Sequence, residues 1–268
     1  MGSVQTSDAS PAPCLGLALG GGGALGAAHA GVLRALRERR ILPRVVVGTS
    51  AGALVGAAYA AGLTPDQIDE AVRRATWSDF GSFRPSLRLG LLDSAALIDT
   101  IRLLGGERYG ENPRIEDLRL PFAATATDLR TRSLVILDRG PLAPALRASM
   151  AVPGIFPPVV TGAQILVDGG LADNLPIDAA RRLGATFTIA VRLRPEWDRL
   201  PVVRERQNLD ELENADDVLM IRPDLERHSQ WTRHHLAESI EAGYAAASKA
   251  LDADSYARRQ LTRMLRPN

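Results

Sequence analysis

Two residues of this sequence carry the groups needed to attack an acyl carbon, a serine hydroxyl and a carboxylate. The hydroxyl belongs to Ser50, at the centre of the motif Gly48–Gly52 (Gly-Thr-Ser-Ala-Gly), and the carboxylate belongs to Asp168, which precedes two glycines. Ser50 follows the β-branched run 45–47 and precedes the Ala-rich stretch 53–61, which predicts a strand, a sharp turn and a helix. Because backbone N–H groups and the helix dipole favour negative charge where a helix begins, Ser50 is the predicted nucleophile.

Asp168 follows the predicted strand 165–167, and its two glycines leave room for the carboxylate to reach a cleft. An Asp-Gly pair is also common in ordinary turns, so a purely structural role stays open at this point. An unperturbed aspartate, with a pKa of ~4, is a weak base for an alcohol. We therefore expect burial to raise the basicity of Asp168, and we expect slow turnover on unactivated esters.

The glycine run before the first predicted helix supplies the third element of such a site. Gly21, Gly22 and Gly23 lie between an apolar strand and a helix, where their N–H groups can face a developing oxyanion. With Gly26 the run also matches a dinucleotide-binding pattern, which requires an acidic residue at the end of the second strand. Ser50 occupies that place, so the sequence favours an oxyanion hole over a dinucleotide site.

The four histidines do not have the placement of a catalytic triad. His29 lies inside the first predicted helix, where we expect it to pack or to bond locally. His228, His234 and His235 follow Asp168 in the chain but lie in a charged helical segment, whereas a triad histidine usually sits in a loop after a strand. Their spacing also disfavours a metal site.

The composition indicates one folded catalytic domain over residues 14–268, preceded by a disordered tail over residues 1–13. The 268 residues are 46% hydrophobic, with a net charge of +1 and one cysteine, Cys14. This balance does not indicate binding to nucleic acid, and a single cysteine excludes an internal disulfide. No apolar run approaches the roughly 20 residues of a membrane span, and the tail lacks signal-peptide features. We expect a cytoplasmic protein, peripheral at the membrane, whose lipid contacts are apolar.

Alternating strands and helices predict a parallel sheet covered on both faces. The predicted strands are 15–19, 45–47, 122–127, 133–137, 165–167, 186–192 and 218–221. The predicted helices are 25–40, 53–61, one that opens at Thr64, 93–104, 142–150, 177–183 and 230–251. The irregular, aromatic-rich segment 77–92 is predicted to be either a flap that admits an apolar substrate or a loop packed over the core.

Taken together, these motifs resemble the patatin-like phospholipase family, in particular its compact bacterial members. The resemblance rests on four blocks in the family's order: 21–26 with His29 and 31–33, 48–52, 148–158, and 168–170 with Asn174 and Pro176. The blocks cover about residues 15–192, and the strand and helices within 193–268 look like the family's C-terminal part.

The resemblance implies a three-layer α/β/α fold with a mainly parallel central sheet. It implies that Ser50 is the nucleophile, that Asp168 activates first the serine and then water, and that Gly21, Gly22 and Gly23 form the oxyanion hole. The implied reaction cleaves carboxylic esters of lipids, as a phospholipase A or lysophospholipase does, through an acyl-enzyme and without a metal or organic cofactor. The implied partners are the lipid or acyl ester substrate and, transiently, a membrane surface, and the oligomeric state is not indicated.

Two functional alternatives stay open beside this reading. One is a general carboxylesterase for short soluble esters, and the other is a weakly active regulatory protein. Leu25 is a departure from the family, in which many members carry Arg or Lys at this position. Losing that cation predicts a weaker hold on a phosphate-bearing substrate and an apolar acyl chain near Leu25. The block that contains Ser149 is implied to be a structural segment beside the site, with no catalytic role for Ser149.

Overall fold

The computed structural model of this chain describes residues 12–74, 109–110, 112–193, 211–212, 214–232 and 234–265, without the side chain of residue 256. Most of the predicted N-terminal tail lies outside the described residues, as do the whole predicted flap 77–92 and the predicted helix 93–104.

The eight described strands form one mixed sheet. They are β1 (Leu15–Leu19), β2 (Val45–Thr49), β3 (Phe122–Asp128), β4 (Ser133–Leu137), β5 (Val159–Thr161), β6 (Gln164–Asp168), β7 (Phe187–Val191) and β8 (Val218–Ile221). Strands β8, β7, β1, β2 and β3 are parallel neighbours in that order, and β4, β5 and β6 add antiparallel pairs beyond them. The predicted strands are confirmed, and β5 is an additional short one.

Strand β3 is longer than β2, and this difference places two functional strand ends side by side. Residues 122–125 of β3 pair with β2, while residues 126–128 pair with β6. Both partners must use the same edge of β3, because β4 occupies the opposite edge along residues 124–128. The carboxyl ends of β2 and β6 therefore meet at the middle of β3.

Helices cover the sheet on both faces. They are α1 (Ala28–Glu38), α2 (Ala51–Ala61), α3 (Pro65–Arg74), α4 (Leu142–Ser149), α5 (Ile177–Arg182), α6 (Leu236–Asp252) and α7 (Tyr256–Leu265). Side chains of β1 alternate between the faces: Leu17 and Leu19 pack in the large core with α1, α2 and α6, whereas Ala18 packs with Ile177 of α5. The α/β/α layers implied by the resemblance are confirmed. Within the described ranges, no helix is both long enough and apolar enough to cross a bilayer.

Two predicted helices begin later than expected. The stretch predicted as helix from residue 25 starts as the 3-10 helix Gly23–Ala27 before α1, and the helix predicted from residue 230 starts only at Leu236. The N–H of Ala24 donates to the carbonyl oxygen of Gln230 at 2.9 Å, which ties the two segments together. The two segments therefore meet at their backbones just before the regular helices begin.

Helices α1 and α6 pack at very short range through glycines. A Cβ atom on Gly31 of α1 would lie 1.8 Å from the carbonyl oxygen of Ile240, and one on Gly243 of α6 would lie 1.9 Å from that of Ala28. Both contacts are with backbone, which cannot move aside as a flexible side chain can. The position of α1, and of the His29 side chain that it carries, therefore depends on these two glycines.

Candidate active site

Ser50 sits in a strained turn between β2 and α2. Its backbone has φ 53° and ψ −121°, outside the regions that residues with a side chain usually adopt. Such a conformation costs ~1–3 kcal/mol and persists only where the surroundings enforce it. The flanking glycines are required by space, because a Cβ on Gly48 would lie 2.3 Å from the Gly52 carbonyl oxygen, and a Cβ on Gly52 would lie 2.2 Å from that of Leu19.

The sheet register brings Asp168 beside this turn. Thr49, the last residue of β2, pairs with Thr125 of β3, and Asp168, the last residue of β6, pairs with the next residue, Ala126. The Ser50 side chain lies near enough to the Asp168 carboxylate to lower the pKa of that carboxylate through hydrogen bonding. Two residues that are 118 positions apart in the sequence are thus brought side by side.

The carboxylate of Asp168 is nearly buried, and this burial changes its proton affinity. Asp168 is 7% exposed and Ser50 is 9% exposed. Burial raises the pKa of Asp168 to about 6, while hydrogen bonds from the Gly170 N–H and the Ser50 hydroxyl act in the opposite direction. The Gly170 N–H lies 2.7 Å from Oδ1. Asp168 is therefore a stronger base than an exposed aspartate and is still mostly ionised at neutral pH.

The glycine loop lies directly against the nucleophile. A Cβ on Gly21 would lie 3.3 Å from the Ser50 Cβ and 2.6 Å from the Asn174 side-chain oxygen. The N–H of Gly21 was predicted to face the oxyanion, but it donates instead to the backbone carbonyl oxygen of Asn174 at 3.1 Å. Within the described part of the chain, the N–H groups of Gly22 and Gly23 donate to no backbone acceptor. These two groups are the candidate donors that the loop offers to an oxyanion.

His29 holds the start of the same loop. Its Nε2 lies 2.8 Å from the carbonyl oxygen of Gly20. Since a carbonyl only accepts, the hydrogen must be on Nε2. Complete burial lowers the pKa of His29 to about 4, so the ring is neutral at physiological pH. The prediction that His29 bonds locally is confirmed.

Two of the other histidines, His228 and His235, contact each other. The rings of His228 and His235 stack with centroids 5.0 Å apart, and Nδ1 of His228 lies 2.8 Å from the Ser239 hydroxyl. Across the described ranges, no group of three or more His, Cys, Asp or Glu side chains has the arrangement of a metal site.

Leu25 does not line an open cleft. It is 1% exposed and packs in the large core with residues of α1 and α2. Leu25 therefore exposes little surface to a ligand, and an acyl chain near it stays a prediction. The 3-10 helix Gly23–Ala27 turns this side chain towards the sheet, which a sequence reading that assumed a regular helix did not anticipate.

The structure also brings the 148–158 block into contact with both functional residues. The Ser149 hydroxyl accepts a hydrogen bond from the N–H of Ser50 at 2.8 Å. The carbonyl oxygen of Ala151 accepts one from the N–H of Asp168 at 3.0 Å. Sequence reasoning missed these two contacts. The only signal available was the place of the block among the four family blocks.

Comparison with known families gives one match over most of the folded region. The profile of the family described as patatin-like phospholipase matches residues 17–181. An uncharacterized NTE family protein of Mycobacterium tuberculosis is 40% identical over 192 residues, which cover 69% of this chain and 50% of that protein. Human patatin-like phospholipase domain-containing protein 6 is 34% identical over 179 residues, covering 66% of this chain and 13% of that protein. The chain thus spans half, or much less, of these relatives.

Two solved structures share the fold at low sequence identity. VipD from Legionella pneumophila aligns with a TM-score of 0.58 at 15% identity, over 91% of this chain and 67% of that one. ExoU, in its heterodimeric complex with SpcU from the type III secretion system of Pseudomonas aeruginosa, aligns with a TM-score of 0.52 at 20% identity, over 94% of this chain and 53% of the other.

Proposed function

The chain belongs to the patatin-like phospholipase family, and on that premise we propose that it hydrolyses acyl esters of lipids with Ser50 as nucleophile and Asp168 as base. The observation that carries the proposal is the sheet register that places Ser50 beside a buried carboxylate, and burial raises the pKa of that carboxylate to about 6. A carboxylate with this pKa is ionised at neutral pH and accepts a proton more readily than an exposed one.

In the first half of the proposed reaction, Oγ of Ser50 forms a bond to the acyl carbon while Asp168 takes the hydroxyl proton. The carbonyl oxygen then carries the negative charge, which the N–H groups of Gly22 and Gly23 stabilise. When the tetrahedral intermediate collapses, the bond to the leaving alcohol breaks. The alcohol takes the proton from Asp168, and the acyl group stays on Ser50.

The second half regenerates the enzyme with water. Asp168 takes a proton from a water molecule while the water oxygen forms a bond to the acyl carbon. The bond between the acyl carbon and Ser50 Oγ then breaks, Ser50 takes the proton from Asp168, and the carboxylic acid is released. Both halves need Asp168 ionised at the start, and no imidazole takes part. The pKa of Asp168 is still far below that of an alcohol, so proton transfer between the two contributes only part of the rate. We therefore expect faster turnover on esters whose leaving groups depart easily.

A lipid substrate is supported by the family membership and by the relatives' names, which describe phospholipase domains. We propose a phospholipase A or lysophospholipase type of cleavage, with transient contact at a membrane surface. The segment 77–92, on which the predicted membrane contact falls, lies outside the described residues. The short-chain carboxylesterase and the weakly active regulatory protein are outcomes that the following experiment separates.

The test is hydrolysis of p-nitrophenyl esters from acetate to palmitate by wild type, Ser50→Ala and Asp168→Asn. Ser133→Ala and Asp117→Asn serve as matched controls, because both positions are exposed and lie outside the site. We expect both site variants to lose activity, both controls to keep it, and the wild-type rate to rise with chain length. A maximum at acetate or butyrate would indicate a carboxylesterase, whereas full activity of Ser50→Ala would refute the proposal.

A further inference from the structure

The segment that ends α4 forms a hydrogen bond to the backbone of each dyad residue. The Ser149 hydroxyl lies 2.8 Å from the Ser50 nitrogen, and two residues later the Ala151 carbonyl oxygen lies 3.0 Å from the Asp168 nitrogen. Ser149 is fully buried. One short piece of chain therefore contacts both sides of the nucleophile–base pair without touching the reacting atoms.

We propose that Ser149 is a positioning residue, which holds the Ser50 backbone in its strained conformation and, together with the Ala151 carbonyl, sets the spacing between Ser50 and Asp168. This inference rests on the proposed function, since it assigns a role in the same dyad.

The Ser50 N–H needs a partner that regular structure does not supply. With φ 53° and ψ −121°, Ser50 has left β2, and as the residue before α2 it has no carbonyl four residues back within the same helix to pair with. A buried N–H without an acceptor would favour relaxation of the turn. The Ser149 hydroxyl accepts this hydrogen bond, so the strained conformation of Ser50 is stabilised relative to a relaxed turn.

The segment that supplies these contacts is itself held in place. Within it, the N–H of Met150 donates to the carbonyl oxygen of Leu146, and the N–H of Ala151 donates to that of Ala148. The Ala148 side chain is buried in a cluster with residues of β3 and β6, the strands that carry Asp168 into the site. Movement of Ser149 relative to Asp168 would therefore require this packing to break.

The contact also limits which groups can stabilise the oxyanion. Because the Ser50 N–H points to Ser149 Oγ, it is not available as a donor to the substrate. The role of Ser149 is thus confined to geometry. An error of about 1 Å in the placement of a reacting group can reduce a rate by about 100-fold.

The test compares Ser149→Ala and Ser149→Thr with Ser239→Ala. Ser239 is also a buried serine with a side-chain partner, His228, but it lies away from the dyad, so its variant reports the cost of deleting a buried hydroxyl elsewhere. For each protein, kcat and KM on p-nitrophenyl butyrate, the pH profile and the thermal unfolding midpoint are measured.

We expect Ser149→Ala to lower kcat by about 10–100-fold, with KM changed by less than about twofold, because orientation is lost and binding is kept. The acid limb of its pH profile should move to higher pH, since the Ser50 hydrogen bond that lowers the pKa of Asp168 is weakened. Ser149→Thr, which keeps the hydroxyl, should recover most of kcat if it folds. Ser239→Ala should keep wild-type kcat at a comparable loss of thermal stability.

Three results would overturn the inference: wild-type kcat and acid limb in a folded Ser149→Ala, equal kcat losses in Ser149→Ala and Ser239→Ala, or failure of Ser149→Ala alone to fold. In each case Ser149 would be a structural residue and not a positioning one. These results differ from failure of the proposed function, which would appear as activity that survives Ser50→Ala.

Discussion

The buried carboxylate makes a sharp prediction about how the rate depends on pH. The ordinary pKa of an aspartate in water, 3.8, is raised at Asp168 to about 6 by burial. Because the proposed reaction begins with ionised Asp168, the rate should follow the ionised fraction, which is about 90% at pH 7, about 10% at pH 5 and about 1% at pH 4. An aspartate with the ordinary pKa would stay more than about 90% ionised down to pH 5.

The measurement is kcat/KM for a neutral, water-soluble ester between pH 4.5 and 8, at constant ionic strength and in buffers that do not attack esters. We expect a plateau above pH 7 and a tenfold fall for each pH unit well below 6. Controls incubated at each acidic pH and assayed at pH 7 separate titration from unfolding. A plateau that continues to pH 5 would refute the assignment of Asp168 as a desolvated base.

The same shift has a consequence for stability, with a definite sign. Since the folded-state pKa lies above the unfolded value, ionisation of Asp168 opposes folding, and the stability present below pH 3.8 is lost as the pH rises through 6. At about 1.4 kcal/mol per pKa unit, the cost at pH 8 is about 3 kcal/mol. Asp168→Asn keeps an oxygen for the Gly170 N–H and removes the charge, so it should raise the free energy of unfolding by up to that amount.

Urea denaturation of Asp168→Asn and wild type at pH 8 and at pH 4 measures this difference. The gain should be large at pH 8 and close to zero at pH 4. A variant that is less stable than wild type at pH 8 would contradict the argument that the buried charge destabilises the fold.

Two further predictions concern the elements that support the site. His29→Gln keeps an amide N–H that can donate to the Gly20 carbonyl oxygen. The folded-state pKa of His29, about 4, lies below the ordinary 6.5, so protonation opposes folding. As the pH falls from 6.5 to 4, the free energy of unfolding of wild type should therefore drop by about 3 kcal/mol relative to that of the variant. Parallel urea stabilities of the two proteins across that range would count against it. Gly31→Ala should cost about 1–3 kcal/mol of unfolding free energy, since its Cβ meets the Ile240 carbonyl oxygen, although an Ala for Gly exchange in a helix usually stabilises. Gly56→Ala, whose Cβ meets only side chains at 3.1 Å or more, should cost less, and the reverse order would show that α1 and α6 can separate cheaply.

Much of the architecture was predictable because it is encoded by neighbours in the chain. Short apolar runs identified β1, β4 and β8 at their observed bounds, and the boundaries of the other predicted strands were within about two residues of those observed. The strand, turn and helix around Ser50 follow from β-branched residues, two glycines and an alanine-rich stretch. These are local preferences, which act whatever the rest of the chain does.

The features that sequence reasoning missed all depend on residues far apart in the chain. The helix predicted from residue 230 starts only at Leu236, and Gln230 bonds instead to Ala24, while Leu25 lies in a 3-10 helix and is buried in the core. Neither contact leaves a periodic signal, since each involves one backbone group or one side chain. The same holds for the N–H of Gly21, which is paired with Asn174.

The sequence by itself determined the chemical groups, the alternation of strands and helices, and the family, because residue identity and local periodicity are sufficient for these. Only the tertiary structure decided how Ser50 meets Asp168, since that contact depends on β2 and β6 sharing one edge of β3. The packing of α4 against β3 and β6 also places Ser149 against a nitrogen 99 positions away in the chain. Burial of the resulting pair then shifts the pKa of Asp168, and desolvation of this kind arises only when distant segments pack together.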